Sequence, residues 1–319
     1  MTFSPLVSVV IPCYNSAEYV SEAIESALSQ EYEPKEIIVV DDGSTDRSLE
    51  EIRRYSEDVQ IIQNEENRGE AHTTNRAIEN ASGKFVKILH ADDRLCAEVI
   101  SEQVRQIEKV GENSIVFGDA KFVEDDEAFH HRDEYRPKRE EETWAHFLLT
   151  NNPHPSSPLH RKSLLEANEG FDPSVPMPDY DFHLRLALNG VRFRHVPGDV
   201  SVIRIHDGED RVQNQNHFVK DPNGGLERIR DRWCRIEDVN QLSEDVKRFL
   251  ARDAWQGGRR ALREGYPEVA RRYFKHARSA HPDPISSTSS LYKWCVHAVG
   301  PGLAERIAQW KRRGISETT

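Results

Sequence analysis

The chain has 319 residues, 37% apolar and 31% charged, with 43 Lys/Arg against 55 Asp/Glu and a formal net charge of −12. That length allows one large or two average domains, and the composition belongs to a folded protein with a highly charged surface. No stretch approaches the ~20 uninterrupted apolar residues needed to cross a bilayer, and an acidic front half without a basic–aromatic motif argues against nucleic acid as a partner.

The N-terminal run MTFSPLVSVVIP has no basic n-region and no cleavage site. It reads as the first strand of a cytoplasmic protein rather than as a signal peptide. Cys13, Cys96, Cys234 and Cys295 lie far apart with no CxxC pair, which argues against a disulfide framework or a zinc site. Charge is uneven along the chain. From Leu226 onward 19 Lys/Arg face 12 Asp/Glu, about +7, which leaves about −19 on residues 1–225. We therefore expect two regions with different partners, residues 1–222 and 226–319, with Pro222-Asn223-Gly224-Gly225 joining them.

In chain order, the first 120 residues alternate strand and helix patterns. Leu6–Ile11 predicts a buried strand closed by Pro12, and Asn15 or Ser16 can cap a helix in which Val20, Ala23, Ile24, Ala27 and Leu28 share one face. Glu36–Val40 predicts a second buried strand, followed by the polar turn Asp41-Asp42-Gly43-Ser44. A helix with Leu49 and Ile52 inward and a strand at Val59–Ile62 come next. A helix around Glu70–Asn80, a strand at Phe85–Leu89, a helix at Ala97–Lys109 and a strand at Ser114–Phe117 continue the pattern. This alternation implies right-handed βαβ units and a doubly wound, mostly parallel sheet. Such a sheet binds ligands outside the carboxyl ends of its strands.

Beyond that point, 121–142 reads as charged and irregular and Trp144–Leu149 as a helix. Asn151–Pro158 reads either as a proline-stiffened connector or as an acceptor-side loop. Asp179–Asn189 has the pattern of an amphipathic helix and Val200–His206 that of a strand. After residue 225 helical patterns dominate to about Arg313.

Polar clusters sit where strands end. They are Ile11-Pro12-Cys13-Tyr14-Asn15, then Asp41-Asp42-Gly43-Ser44-Thr45-Asp46, then Asn67-Arg68-Gly69, then His90-Ala91-Asp92-Asp93, and finally Asp179-Tyr180-Asp181 with His206 beyond. Two adjacent carboxylates are costly to shelter without a cation or several donors, so Asp92 and Asp93 are candidate metal ligands. Each cluster alone also has a plainer reading. Asp-Asp-Gly-Ser is a common turn and helix cap, His206 could be a strand-end histidine, and Asp179 could be an N-cap.

Taken together, Val7–Asn15, Asp41–Asp46 and Ala91–Asp93 resemble the family-2 inverting glycosyltransferases, which have the GT-A fold, over about residues 6–210. The resemblance implies an α/β GT-A sheet flanked by helices, here followed by an α-helical C-terminal region. It implies a nucleoside-diphosphate sugar donor, a UDP-sugar first, with Pro12, Tyr14 and Asn15 along the nucleotide and Asp42 or Asp41 accepting from the base. Arg68 would face the diphosphate and Asp92 the ribose or the metal shell. Asp93 and His206 would hold Mn²⁺ or Mg²⁺. Asp179 matches the base of the family, with Asp181 as the alternative. The acceptor would be a saccharide or a lipid-linked one, in polysaccharide, glycan or glycolipid assembly. Two positions depart from the pattern: His90 stands where the family commonly has Asp, and Pro178 where an acidic residue precedes the base. If those departures mark decay, the chain would be a nucleotide-sugar-binding or scaffold protein without turnover. A nucleotidyl transferase would want a glycine-rich basic loop after the first strand, which Cys13-Tyr14-Asn15-Ser16 is not.

The tail carries no motif of that family. Trp255 through Ala277 reads as a helical hairpin turning at Gly265-Tyr266-Pro267, similar to a single tetratricopeptide-type pair. Leu291–Arg313 mixes tryptophans with Lys/Arg. It suits either peripheral contact with an anionic inner membrane face or a helix packed on the catalytic domain.

Overall fold

The computed structural model describes residues 4–124, 128–133, 135–174, 178–205, 242–263, 265–285 and residue 301. The chain divides into two compact units, Met1–Glu209 and Asp210–Thr319.

The first unit opens with β1 (Val7–Cys13), α1 (Val20–Leu28), β2 (Lys35–Asp41), α2 (Ser48–Arg53), β3 (Gln60–Gln63), α3 (Glu70–Asn80) and β4 (Phe85–Ile88). β1 is buried along its whole length, as a strand covered on both faces must be. Val9 and Ile11 belong to one apolar cluster with Ile24 of α1, and Val10 to the opposite cluster with Ala77 and Ile78 of α3. That alternation is the reason helices lie on both faces. β1 pairs in parallel with β2 and with β4, and β2 with β3. Cys13 stands beside Asp41 in this register, so the polar segments after β1, β2 and β4 share one edge of the sheet. Pro12 lies beyond the last β4 pairing, Val10 with Ile88, where its missing N–H costs no ladder bond.

The rest of the sheet is mixed. β5 (Arg94–Leu95), α4 (Val99–Ile107), β6 (Ser114–Glu124), β7 (Ala128–Asp133), α5 (Trp144–Thr150), β8 (Leu159–Arg161), α6 (Lys162–Ala167), α7 (Pro178–Leu188) and β9 (Arg192–Ile205) follow. The strand order is β3-β2-β1-β4-β8-β6-β9-β5, with β7 on β6. β8 runs antiparallel to β4 and β6, whereas β6 and β9 are parallel.

Several elements differ from expectation. The segment read as irregular carries the end of β6 and the antiparallel β7; its charges hide the two-residue period. β8 and α6 were not foreseen, because Leu-His-Arg is too short to show a period. β9 begins at Arg192 rather than Val200, since Pro197-Gly198 reads as a turn but is a bulge here. The β6–β9 register shifts there, and Asp119 pins the bulge by accepting from Gly198 N–H at 3.0 Å and pairing with His195 at 2.7 Å.

In the second unit, α8 (Glu244–Arg263) and α9 (Pro267–Ala280) form an antiparallel pair. Trp255 packs against Phe274 in a tilted contact, with ring centroids 4.6 Å apart. Gly258 permits this approach, because a Cβ there would come within 2.7 Å of the Phe274 ring. Pro222–Gly225, His206 and, apart from Pro301, Leu291–Arg313 lie outside the described residues. Among the described residues no helix is long and apolar enough to cross a membrane.

Candidate functional site

The loops after β1 and β2 are stitched together. Asn15, in the left-handed region at φ 47°, receives Thr45 N–H on Oδ1 at 2.8 Å and gives its own N–H to Ser44 Oγ at 3.0 Å. Ser16 N–H reaches Ser48 Oγ at 2.7 Å and Ala17 N–H reaches Asp46 at 3.1 Å. Tyr14 projects from this floor as an exposed ring. Gly43 is required at the turn: it sits at φ +67°, and a Cβ there would lie 2.7 Å from the Glu66 backbone. Cys13 is no nucleophile. Burial, then the neighbouring Asp41 charge, push its thiol up to about 12.

The two adjacent aspartates at the end of β2 differ in how the fold engages them. Asp42 is buried and fully engaged. Its Oδ1 accepts from Asn64 Nδ2 at 2.6 Å and Arg68 N–H at 3.0 Å, and its Oδ2 from Gly69 N–H at 2.9 Å. It therefore shapes the Asn67-Arg68-Gly69 turn that leads into α3. Asp41 is equally buried, but its Oδ1 has no hydrogen-bond partner among the described residues. An orphaned carboxylate oxygen at a strand end is the kind of atom a ligand donor satisfies. The Arg68 side chain is exposed at the rim.

After β4, His90, Asp92 and Asp93 each offer a ligand atom within 4.8 Å of the others. Asp93 is buried and held from behind: Ser156 Oγ donates to its Oδ2 at 2.7 Å and Arg204 N–H to its Oδ1 at 3.4 Å. His154 Nδ1 lies 3.8 Å from the same carboxylate. His90 Nε2 meets Glu70 Oε1 at 3.1 Å. Burial opposes charge on this imidazole, but Glu70, then Asp93 and Asp92, carry it up to about 10. With the His90 Nε2 turned to Glu70, the carboxylates of Asp92 and Asp93 are the candidate ligand pair of this group.

Asp179 belongs to the same charge network. Burial and then the Glu70 carboxylate push its carboxyl up to about 6, against the pull of the Tyr180 backbone N–H and of His90. Asn152 Nδ2 donates to Asp179 Oδ2 at 3.3 Å. Asp181 is spent elsewhere, since it accepts Arg185 Nε at 2.8 Å while Arg185 also grips the carbonyls of Asn168 and Gly170.

The segment read as a connector or an acceptor-side loop packs against the candidate site residues. Asn152 touches Asp179, Ser156 touches Asp93 and His90 N–H, and the Ser157 carbonyl accepts from buried Lys87 at 2.6 Å and from Gln103. Burial brings the Lys87 ammonium down to about 7. The sequence reading does not single out Glu70, and it places Asn152, His154 and Ser156 only within a segment read as a connector or an acceptor-side loop. The polar side chains interleaved with Pro153 and Pro155 in Asn151-Asn152-Pro153-His154-Pro155-Ser156-Ser157 were the signal that could have found the last three.

The profile of "Glycosyl transferase family 2" matches residues 8–166, which span β1 to α6. A glycosyltransferase of Haemophilus influenzae with no characterised role is 40% identical over 108 residues, covering 33% of each chain. The hyaluronan synthase of Pasteurella multocida is 26% identical over 262 residues, 78% of this chain and 26% of that one. The chain spans between 18% and 42% of the length of the curated relatives it matches. Among solved structures, residues 1–349 of TarS from S. aureus superpose with a TM-score of 0.57 at 19% identity, covering 89% of this chain and 92% of that one.

Proposed function

Because residues 8–166 place the chain in glycosyl transferase family 2, we propose that it moves a sugar from a nucleoside-diphosphate sugar to an acceptor hydroxyl with inversion. The observation that carries this reading is the single charge network joining Asp92 and Asp93 to Asp179 through His90 and Glu70. It sets a candidate cation site and a candidate base at one edge of the sheet.

The donor set fits a hard divalent ion, because carboxylate oxygens with one imidazole suit Mn²⁺ or Mg²⁺. Asp93 and Asp92 would hold it, and His206 is the further ligand that the family pattern proposes. When bound, the cation offsets the negative charge that develops on the departing diphosphate.

The protein's own groups do the rest. Asp41 Oδ1 accepts an N–H of the base, Tyr14 lies against the nucleotide, and Asn15 fixes the loop beneath it. Arg68 meets phosphate oxygens from the rim. Asp42 reaches the nucleotide only through the turn it shapes. Asp179, with a carboxyl near 6, is ionised at neutral pH and takes the proton of the acceptor hydroxyl. The acceptor oxygen bonds to the anomeric carbon as the bond to the diphosphate breaks on the opposite face, and one displacement inverts the centre. Asp181, committed to Arg185, is not the base.

The donor is a UDP-sugar in this reading. UDP-GlcNAc heads the panel because the fold neighbour TarS is solved in complex with it. The acceptor is a saccharide or lipid-linked hydroxyl, in keeping with relatives named as hyaluronan and chondroitin synthases. The catalytic region would act in the cytoplasm, and the basic tail would serve peripheral contact with the inner membrane face.

The test is release of nucleoside diphosphate from UDP-, GDP- and dTDP-sugars with Mn²⁺ or Mg²⁺. Metal-dependent release that is lost in Asp93→Ala and in Asp179→Asn supports the transferase. Tight, metal-dependent binding of UDP with no turnover of any donor would instead support a nucleotide-sugar-binding protein.

A further inference from the structure

Two histidines lie wholly inside the first unit with no part in the chemistry above. His160 on β8 and His183 on α7 are each 1% exposed. Their rings stack at 5.6 Å and an interplanar angle of 14°, with the Nε2 atoms 3.3 Å apart. Burial keeps both neutral: His183 is brought down to about 3, and His160 is lowered by burial, then by His183 and Lys87. Two neutral imidazoles facing each other must divide the roles, one ring N–H donating to the lone pair of the other.

The remaining contacts decide which ring donates. His183 Nδ1 lies 3.0 Å from Asn152 Oδ1, and Asn152 Nδ2 donates to Asp179 Oδ2 at 3.3 Å. A carboxylate only accepts, so the Asn152 amide must turn its nitrogen to Asp179 and its oxygen to His183. His183 then carries its proton on Nδ1 and offers the lone pair of Nε2, and His160 must carry its proton on Nε2. Each orientation forces the next, and the chain ends in a buried, stacked ring pair.

We propose that Asn152 is a positioning residue for Asp179, its amide locked by the buried His183–His160 pair so that an N–H points at the carboxylate that receives the acceptor proton. This inference rests on the reading of Asp179 as base. The amide fixes one carboxylate oxygen and leaves the other facing the acceptor. Without the lock, the amide can rotate and present its oxygen, which repels the carboxylate. Misplacing a base by about an ångström lowers turnover by about 100-fold.

Two readouts test this on the full chain. The first needs no substrate: two-bond ¹H–¹⁵N spectra of the imidazoles at pH 7. We expect His183 protonated on Nδ1 and His160 on Nε2, with His183 losing its single tautomer in Asn152→Ala. A His183 ring protonated on Nε2 overturns the proposal, because the amide oxygen would then face Asp179. The second is nucleoside diphosphate release from UDP-GlcNAc, UDP-glucose and GDP-mannose with Mn²⁺, comparing Asn152→Ala, His183→Phe, Asp179→Asn and Asn152→Ala/Asp179→Asn. His183→Phe keeps the ring and removes the Nδ1 donor.

We expect kcat to fall about 10- to 100-fold in each of the first two variants. Donor KM and the Kd for UDP should stay within about twofold, and Asn152→Ala should cause no further loss in the Asp179→Asn background. An unchanged kcat in Asn152→Ala beside a dead Asp179→Asn overturns the positioning role alone. A fully active Asp179→Asn overturns the base assignment and the proposal with it. Losses that appear in KM or UDP binding rather than in kcat would mark Asn152 as merely structural.

Discussion

Replacing Asp42 by alanine separates two roles open to a carboxylate at a strand end, reading a base or building a turn. The carboxylate accepts three hydrogen bonds in a buried setting. Bonds to a charged group are each worth about 1.5–3 kcal/mol, but the three do not add, because two donors keep alternatives. Asn64 Nδ2 still reaches Thr73 Oγ1 at 3.3 Å, and Gly69 N–H still reaches Asn67 Oδ1 at 2.9 Å. Only Arg68 N–H is left without its acceptor. We therefore expect Asp42→Ala to cost about 2–4 kcal/mol in urea unfolding, which lowers the melting temperature by roughly 5–15 °C in a unit of this size. The variant should also bind UDP more weakly, since the turn carrying Arg68 loosens. A change below about 0.5 kcal/mol with a large loss of UDP affinity would refute this reasoning and return Asp42 to the base. Asp41→Asn should show the reverse pattern, with little loss of stability and a clear loss of UDP binding by calorimetry.

Three further outcomes follow from the site. With the Asp179 carboxyl at about 6, turnover should be flat above pH 7 and fall as pH drops through 6, and a profile flat to pH 4.5 would remove Asp179 as base. Its folded-state value is raised above the ordinary carboxylate value, so ionising it opposes folding. Asp179→Asn should thus melt higher than wild type at pH 8, with the gain fading toward pH 4. Ser156→Ala removes the donor behind Asp93 and should weaken Mn²⁺ affinity about 10- to 100-fold, measured by titration of activity against metal.

The parallel half of the sheet was legible because its signals are local. β1, β2 and β4 are apolar runs that end in polar clusters, and α3 showed its period over Glu70–Asn80, as the structure has it. The mixed half was not. β8 is three residues long, and β9 mixes Arg192, Arg194 and His195 with a Pro-Gly bulge, so their identity as strands comes from pairing with β4 and β6. The candidate site shows the same divide. Asp41, Asp92 and Asp93 announce themselves by adjacency, whereas Asn152 and Ser156 gain their meaning from partners 27 and 63 residues away. Asp41 and Asp42, or Asp179 and Asp181, are chemically alike in sequence. What distinguishes them is which carboxylate the fold has already supplied with donors.

The hydrogen bonds that stitch the β1 and β2 loops bear on how fast and how tightly a nucleotide can be caught. Asn15, Ser16 and Ala17 are tied to Ser44, Thr45, Ser48 and Asp46 within the protein itself. A ligand that settles there meets a surface already ordered, so little conformational entropy is lost at that contact on association. Encounter would then be limited by diffusion and charge rather than by a slow loop closure. Affinity differences between nucleotides would reside in how quickly each one leaves.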